Sequence, residues 1–289
     1  MQLSTADCHS GHMLCSLKNN TESVASGPVA IVGSDDWLRG VIMSRLISSD
    51  LKVRNYGPGT SSLRPADTLV LVPRLVPTSF DPARSVGLAA NAMTLAAALN
   101  ARINNVVLVS LIGADPRMPG HLGALGRLES RARSWAPRLT VVRASQVYGS
   151  MGNPGPLVDR MRSTLRRHPV RLGDLPCRPV FIAELLDVVE AAVRKELAEG
   201  AIDVTGETAL HAGEFIEEFD ERAEGQNAAS ASSHRWPSLP SVRRADQALC
   251  ELLEAQSGII DGDSERLPRI ESAARPDLRR RTRERPKVA

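Results

Sequence analysis

The feature that most constrains this chain is an alternation of short aliphatic runs with longer helical stretches. The runs are Pro28–Val32, Leu51–Tyr56, Thr68–Val72, Asn105–Leu111, Arg138–Ala144 and Ala201–Val204. Strands buried on both faces read as continuous aliphatic runs rather than as alternating patterns. Between them, Leu38, Val41, Ile42 and Leu46 recur at helical spacing. Further helices are predicted over Ser85–Arg102, Gly123–Trp135, 156–167 and Ala183–Leu197, and another begins at Ala212–Phe219. A short extended piece is expected at Pro179–Ile182. Strand–helix–strand units of this kind close by right-handed crossovers into a parallel sheet with helices on both faces. The predicted class is therefore α/β, a Rossmann-type doubly wound parallel sheet. A small C-terminal substrate-side region and a helical or disordered tail would follow it. Aromatic residues are only 3% of the chain, so this core has to be built from Val, Leu, Ile and Ala.

The composition shifts along the chain suggest five segments. Residues 1–26 are polar and aperiodic and are read as a flexible leader. Residues 27–223 carry the α/β pattern. Residues 224–240 are an Ala/Ser/Pro linker. Residues 241–258 carry an apolar stripe, Val242, Ala245, Leu249, Leu252 and Leu253, and are predicted as an amphipathic helix. That stripe could dock on the domain, bind a protein partner or support self-association. Residues 259–289 are Pro- and Arg-rich and are expected to be disordered. The last fifteen residues hold seven basic and two acidic side chains, so the net charge of +3 belongs to the tail and the rest is slightly acidic. A nucleic-acid groove on the body is not expected. No apolar run is long enough for a membrane span. Four cysteines without a framework spacing, and no secretory leader pattern, point to a cytoplasmic protein. Cys8, His9, His12 and Cys15 are too crowded in sequence to close a tetrahedral zinc site, so no metal is expected.

Four segments, in order, resemble one family. These are Asn91-Ala-Met-Thr94 before Val106–Ser110, Thr140-Val-Val-Arg143 leading to Tyr148-Gly149, Arg178–Ile182 before Leu185–Val189, and Gly200–Gly206. Their order and spacing are similar to the extended short-chain dehydrogenase/reductases, which include nucleotide-sugar epimerases and dehydratases, and to their atypical NmrA-like relatives. The resemblance covers roughly residues 28–222 and implies a nicotinamide dinucleotide, NAD or NADP, as cofactor.

Such proteins place Gly-x-x-Gly-x-x-Gly between the first strand and helix, so that backbone can approach the pyrophosphate at a helix N-terminus. Here the loop reads Gly33-Ser34-Asp35-Asp36-Trp37-Leu38-Arg39. The resemblance puts Gly33 on the first glycine, Asp36 on the second and Arg39 on the third. Acidic side chains would repel a diphosphate, and Asp35 or Asp36 equally suits an N-cap. Gly33, Ser34, Asp36 and Arg39 are the candidate phosphate-side residues, and Arg54 is a candidate for a 2′-phosphate.

The resemblance also implies a Tyr-x-x-x-Lys pair. Aligning Glu129 with a family Glu places His121 at the Tyr and Leu125 at the Lys. Ser110 matches the family Ser, and Tyr148 a family Tyr in a turn. Ser110, His121 and Tyr148 are the candidate catalytic residues, with His121 the one able to exchange protons near neutral pH. Two readings stay open. One is an NAD(P)-dependent oxidoreductase, epimerase or dehydratase-like enzyme with non-standard groups. The other, favoured by the lost glycines, Tyr and Lys, is a non-catalytic protein that binds a dinucleotide or small-molecule ligand or acts as a scaffold.

Overall fold

The computed structural model describes residues 27–79, 81–149, 153–226 and 240–262. The expected leader, most of the linker and most of the tail lie outside the described residues, as do the Cys8–Cys15 cluster and the basic last fifteen residues.

The chain opens with β1 (Val29–Gly33), α1 (Asp36–Ser48), β2 (Val53–Tyr56) and β3 (Thr68–Val72). It continues through α2 (Pro82–Val86), α3 (Leu88–Asn100), β4 (Asn105–Leu111), α4 (Gly120–Trp135) and β5 (Arg138–Ala144). Next come β6 (Val147–Tyr148), α5 (Pro156–Leu165), α6 (Pro169–Gly173), β7 (Pro176–Cys177) and β8 (Val180–Phe181). The last elements are α7 (Ile182–Val193), β9 (Gly200–Val204), β10 (Leu210–His211), α8 (Ala212–Gln226) and α9 (Pro240–Gly262).

Six strands form one parallel sheet in the order β2-β1-β3-β4-β5-β9. Every residue of β1, β3 and β4 is buried, as the aliphatic runs require. Helices α1 and α7 pack together on one face, tied by Arg45 to Asp187 and Glu190, while α2, α3 and α4 pack together elsewhere on the sheet. The chain leaves β1 for β2 on one side and returns as β3 on the other. This makes the β1/β3 boundary the topological switch point, beyond whose carboxyl end ligands bind in open α/β sheets.

The helix expected over Ser85–Arg102 is two helices. Asp81 accepts from the Ala83 and Arg84 amides, Pro82 starts α2, and Gly87 adopts φ +70° between α2 and α3. Averaged periodicity passes over a single left-handed residue, whereas the chain turns there. Helix α8 runs to Gln226, into the stretch expected as linker, and α9 extends four residues past the expected helix.

Beyond the carboxyl ends of β4 and β5, the C-terminal residues build a small cap. It contains α5, α6, α8 and α9, with the short pairs β6–β8 and β7–β10. The stripe on α9 is spent inside the chain, since Ala245, Leu249, Leu252 and Leu253 are all buried. Polar keys set its position. Fully buried Asp246 meets Arg167 at 2.7 Å and Arg160 at 3.1 Å, and it accepts from the Thr164 hydroxyl of α5. Glu254 receives two bonds from Arg171 of α6. Of the open destinations for this stripe, the structure takes docking on its own domain. Self-association through Ala245–Gln256 would first have to undock α9.

Candidate functional site

Five residues after β1 decide what the switch-point crevice can hold. Gly33 lies against β3, and a Cβ there would sit 2.0 Å from the Val72 carbonyl oxygen. Strand packing therefore requires the retained glycine. Gly33→Ala is expected to destabilise by about 2–3 kcal/mol through overpacking. Urea unfolding checks this, and a change under about 0.5 kcal/mol, within surface-substitution range, would contradict it.

The Ser34 and Asp35 amides both point to the Val72 carbonyl, at 3.0 and 3.5 Å. The Asp35 carboxylate caps α1 by accepting from the Leu38 amide at 3.1 Å. Asp35 is buried, and burial raises its pKa. The Leu38 and Leu75 amides and the Arg74 charge oppose that rise. Of the two acidic residues expected as caps, Asp35 takes the role. Asp36 is exposed on the first turn and pairs with Arg39 at 2.7 Å.

Arg39 does not point to an open anion position. Its guanidinium donates to the Gly33 carbonyl at 2.9 Å and the Tyr56 carbonyl at 3.4 Å, joining the ends of β1 and β2. Arg54 donates to the Pro65 carbonyl at 2.7 Å and holds the β2–β3 connection. The Ser34 hydroxyl is buried without a hydrogen-bond partner among the described residues, and its carbonyl accepts from Arg74.

Trp37 closes one side of the crevice. Its indole N–H donates to the Asn153 side chain at 2.9 Å, and its ring packs against Gly149 and Gly155. The crevice that remains is lined on the sheet side by Leu75, Val76 and Leu111 and on the cap side by Leu157, Leu252 and Gln256. Gln256 keys α9 to the strand ends. It accepts from the Gln146 amide at 2.9 Å and donates to the Ile112 carbonyl at 3.3 Å.

The three candidate catalytic residues do not line this crevice. The buried Ser110 hydroxyl donates to Glu129 at 2.7 Å. Glu129 in turn receives Arg143 through two bonds, at 3.1 and 2.6 Å. The residues that carried the family resemblance thus form a buried ion pair between β5 and α4. His121 donates from Nε2 to the Arg74 carbonyl at 3.1 Å, and its buried Nδ1 has no hydrogen-bond partner among the described residues. Burial lowers its pKa to about 4 against the pull of the Arg74 and Leu75 backbone, so the ring is neutral at pH 7. Tyr148 packs in an aromatic cluster with Phe181, Phe215 and Phe219, at centroid distances of 5.4, 5.5 and 6.3 Å. No hydrogen bond joins Ser110 to His121 among the described residues; each is committed to a different partner.

No family model and no curated protein matches the sequence. Solved structures do match. The UDP-glucose 4-epimerase of Thermus thermophilus, in complex with NAD, superposes with a TM-score of 0.53 at 14% identity, over 68% of this chain and 83% of that one. The Bordetella bronchiseptica enzyme WbmG, in complex with NAD, gives 0.54 at 8% identity, over 84% and 96%. The dTDP-4-dehydrorhamnose reductase of Bacillus anthracis, in complex with NADP, gives 0.53 at 14% identity, over 69% and 81%. The fold is shared with these epimerases and reductases. At these identities the likeness concerns the fold alone.

Within that fold, the residues around the crevice do not fit a dinucleotide. A pyrophosphate needs free amides at the start of the first helix and no competing anion. Here the buried Asp35 carboxylate occupies the start of α1 and takes the Leu38 amide, and Asp36 places a second carboxylate on the first turn. Asp35, Trp37 and Gln256 were the residues that sequence patterns underweighted. Asp35 carried a capping signal that Asp36 shared. Gln256 carried none, because its partners lie more than a hundred residues away.

Proposed function

We propose that this chain is a non-catalytic relative in the short-chain dehydrogenase/reductase fold, a small-ligand-binding or scaffold protein in which the dinucleotide crevice is closed from within. The observation that carries this reading is the Asp35 carboxylate at the N-terminus of α1, where a bound pyrophosphate would need to sit. Three further arrangements support it. Arg39 is spent on backbone carbonyls. Ser110 is spent on Glu129. His121, with a pKa of about 4 and one ring nitrogen committed, is poorly matched to proton transfer at pH 7.

A cytoplasmic location is part of the proposal. Cys177 and Cys250 are free and buried, and burial pushes the Cys177 thiol up to about 12, as suits inert thiols. No described helix is long and apolar enough to cross a membrane.

The test is a titration of the full chain with NAD+, NADH, NADP+ and NADPH, followed by thermal shift and calorimetry. A ligand at a hundredfold its Kd stabilises the folded state by about 2.7 kcal/mol. No shift is expected with any of the four at millimolar concentration. A saturable shift with one of them would overturn the proposal and restore the cofactor-dependent enzyme as the better reading.

A further inference from the structure

Helix α3 has no charged side chain, and two of its polar residues, Asn91 and Thr94, are buried. Its outer face is apolar. Ala89, Met93 and Leu99 are exposed there, and Ala92 and Ala96 are half-buried. Among the described residues, Met93 at 51% and Leu99 at 53% are two of the three large hydrophobic side chains that stand more than half exposed. Apolar residues exposed singly need no explanation, whereas a contiguous patch rimmed by charge marks an interaction site.

The rim is of one sign. From Asp81 to Trp135, through α2, α3 and α4, six arginines are exposed: Arg84, Arg102, Arg117, Arg127, Arg131 and Arg133. None of them has an ion pair among the described residues. The acidic side chains of the same span are already committed. Asp81 caps α2, Asp115 accepts from the Arg117 amide, and Glu129 is buried against Ser110 and Arg143. Between α1 and α7, by contrast, the charges balance, with Arg45 and Arg194 both meeting Glu190.

Helix geometry sets the rim beside the patch. Glu129 turns to Arg143 of β5. Arg127 and Arg131 stand two residues before and after it, about 200° round the helix, on the flank toward α3. On α3, Ala90 lies beside Gly59 of the β2–β3 connection. Ala92, Ala96 and Leu99 are on the other flank, toward α4. The two helices pack together, so an apolar strip runs along an arginine edge.

We propose that the α3–α4 face docks an amphipathic helix of another protein, with its apolar stripe on Met93 and Leu99 and Asp or Glu facing Arg127 and Arg131. Apolar anchors beside a charge-complementary edge are the usual form of helix-in-groove recognition. A second copy of this chain does not supply that partner, because α3 and α4 expose no carboxylate and a two-fold contact would set arginines against arginines. Neither do the chain's own outlying stretches. Residues 1–26 hold two acidic and one basic side chain, 227–239 one basic, and 263–289 five acidic and nine basic. A polyanion would lay phosphates over Met93 and Leu99, which give them nothing. The inference rests on the scaffold reading above and names its partner.

The test uses the full chain and labelled helical peptides of about five turns, followed by fluorescence anisotropy. One peptide carries a leucine stripe flanked by Glu, a second the same stripe flanked by Lys, and a third the Glu flanks with Ala in place of Leu. The Glu-flanked leucine peptide is expected to bind saturably, with each of the others at least about tenfold weaker. Arg127→Glu with Arg131→Glu should reverse the preference between the Glu and Lys peptides. Met93→Gln with Leu99→Gln should weaken the first peptide about tenfold. All four positions are exposed, and the peptide series decides the charge requirement without any variant.

No saturable binding of the Glu-flanked peptide up to about 1 mM would overturn the inference. So would equal binding of the Glu and Lys peptides, or unchanged binding in either folded double variant. Duplex DNA binding as tightly as the peptide would reassign the face to nucleic acid. A stable dimer of the free chain that Met93→Gln with Leu99→Gln splits would reassign it to a second copy. The dinucleotide titration reads the crevice separately. Peptide binding alongside a dinucleotide shift would sink the crevice reading and leave this surface standing, whereas silence in both assays would sink the surface alone.

Discussion

Arg143→Ala is expected to destabilise the protein by about 3–5 kcal/mol, the cost of leaving a buried charge without its ionic partner. The asymmetry of the pair carries the argument. The Glu129 side chain is 2% exposed and that of Arg143 25%, so the damage comes through the stranded carboxylate rather than the lost guanidinium. Of the three hydrogen bonds into Glu129, the Ser110 hydroxyl alone would remain. At roughly 2–4 °C per kcal/mol for a domain of this size, Tm should fall by about 10 °C. Ser110→Ala removes one bond to a charged acceptor and should cost less, about 1.5–3 kcal/mol. Replacing both ions by apolar side chains, Glu129→Leu with Arg143→Met, should recover much of the loss, because well-packed apolar groups compete with buried pairs. Urea unfolding of the three variants checks the ordering. An Arg143→Ala protein within about 1 kcal/mol of wild type would show that Glu129 finds other compensation and that the pair is not a structural keystone.

Stability should also fall by about 3 kcal/mol between pH 6.5 and pH 4 on account of His121. Its pKa is lowered from 6.5 to about 4 by burial. The unfolded chain therefore takes up a proton below pH 6.5 that the folded protein refuses until about pH 4. The unfolded state binds more protons across that window, so acidification favours unfolding. One pKa unit corresponds to about 1.4 kcal/mol, which sets the size. Asp35 acts in the opposite sense. Its raised pKa gives stability at low pH that is lost as pH rises through the folded value. The difference between wild type and His121→Gln isolates the histidine, since Gln can still donate to the Arg74 carbonyl but does not titrate. Unfolding free energies at pH 7, 6, 5 and 4.5 should converge for the two proteins at the acid end relative to neutral pH. Parallel pH profiles would remove His121 as the source.

Much of the sheet is legible in the sequence. The strand runs at Val29–Gly33, Thr68–Val72, Asn105–Leu111 and Arg138–Ala144 need no tertiary information, because continuous aliphatic runs of that length suit a sheet covered on both faces. The α1, α4 and α7 helices follow from apolar spacing. The ordered motifs around Asn91, Arg143–Gly149 and Gly206 resemble the family whose fold the structure shares. The breaks are less legible. Gly87 splits a helix by one backbone conformation, which residue averages do not register.

The candidate site was legible as a place but not as chemistry. A loop between the first strand and helix, with lost glycines and two carboxylates, marks the crevice and its damage. Local capping rules suit Asp35 and Asp36 alike, and Asp35 takes the cap. Two decisions belonged to the tertiary structure. Ser110 turns to Glu129 and Arg143 rather than to His121. The stripe on α9 docks on its own domain, with Gln256 reaching Gln146 and Ile112. The physical reason is the range of the interactions. Periodicity and capping act over three or four residues and leave their mark in local sequence, so strands, helices and the altered loop can be read directly. Which buried donor meets which acceptor depends on groups from 14 to 144 residues apart, whose pairing exists only once the sheet order β2-β1-β3-β4-β5-β9 has brought them together.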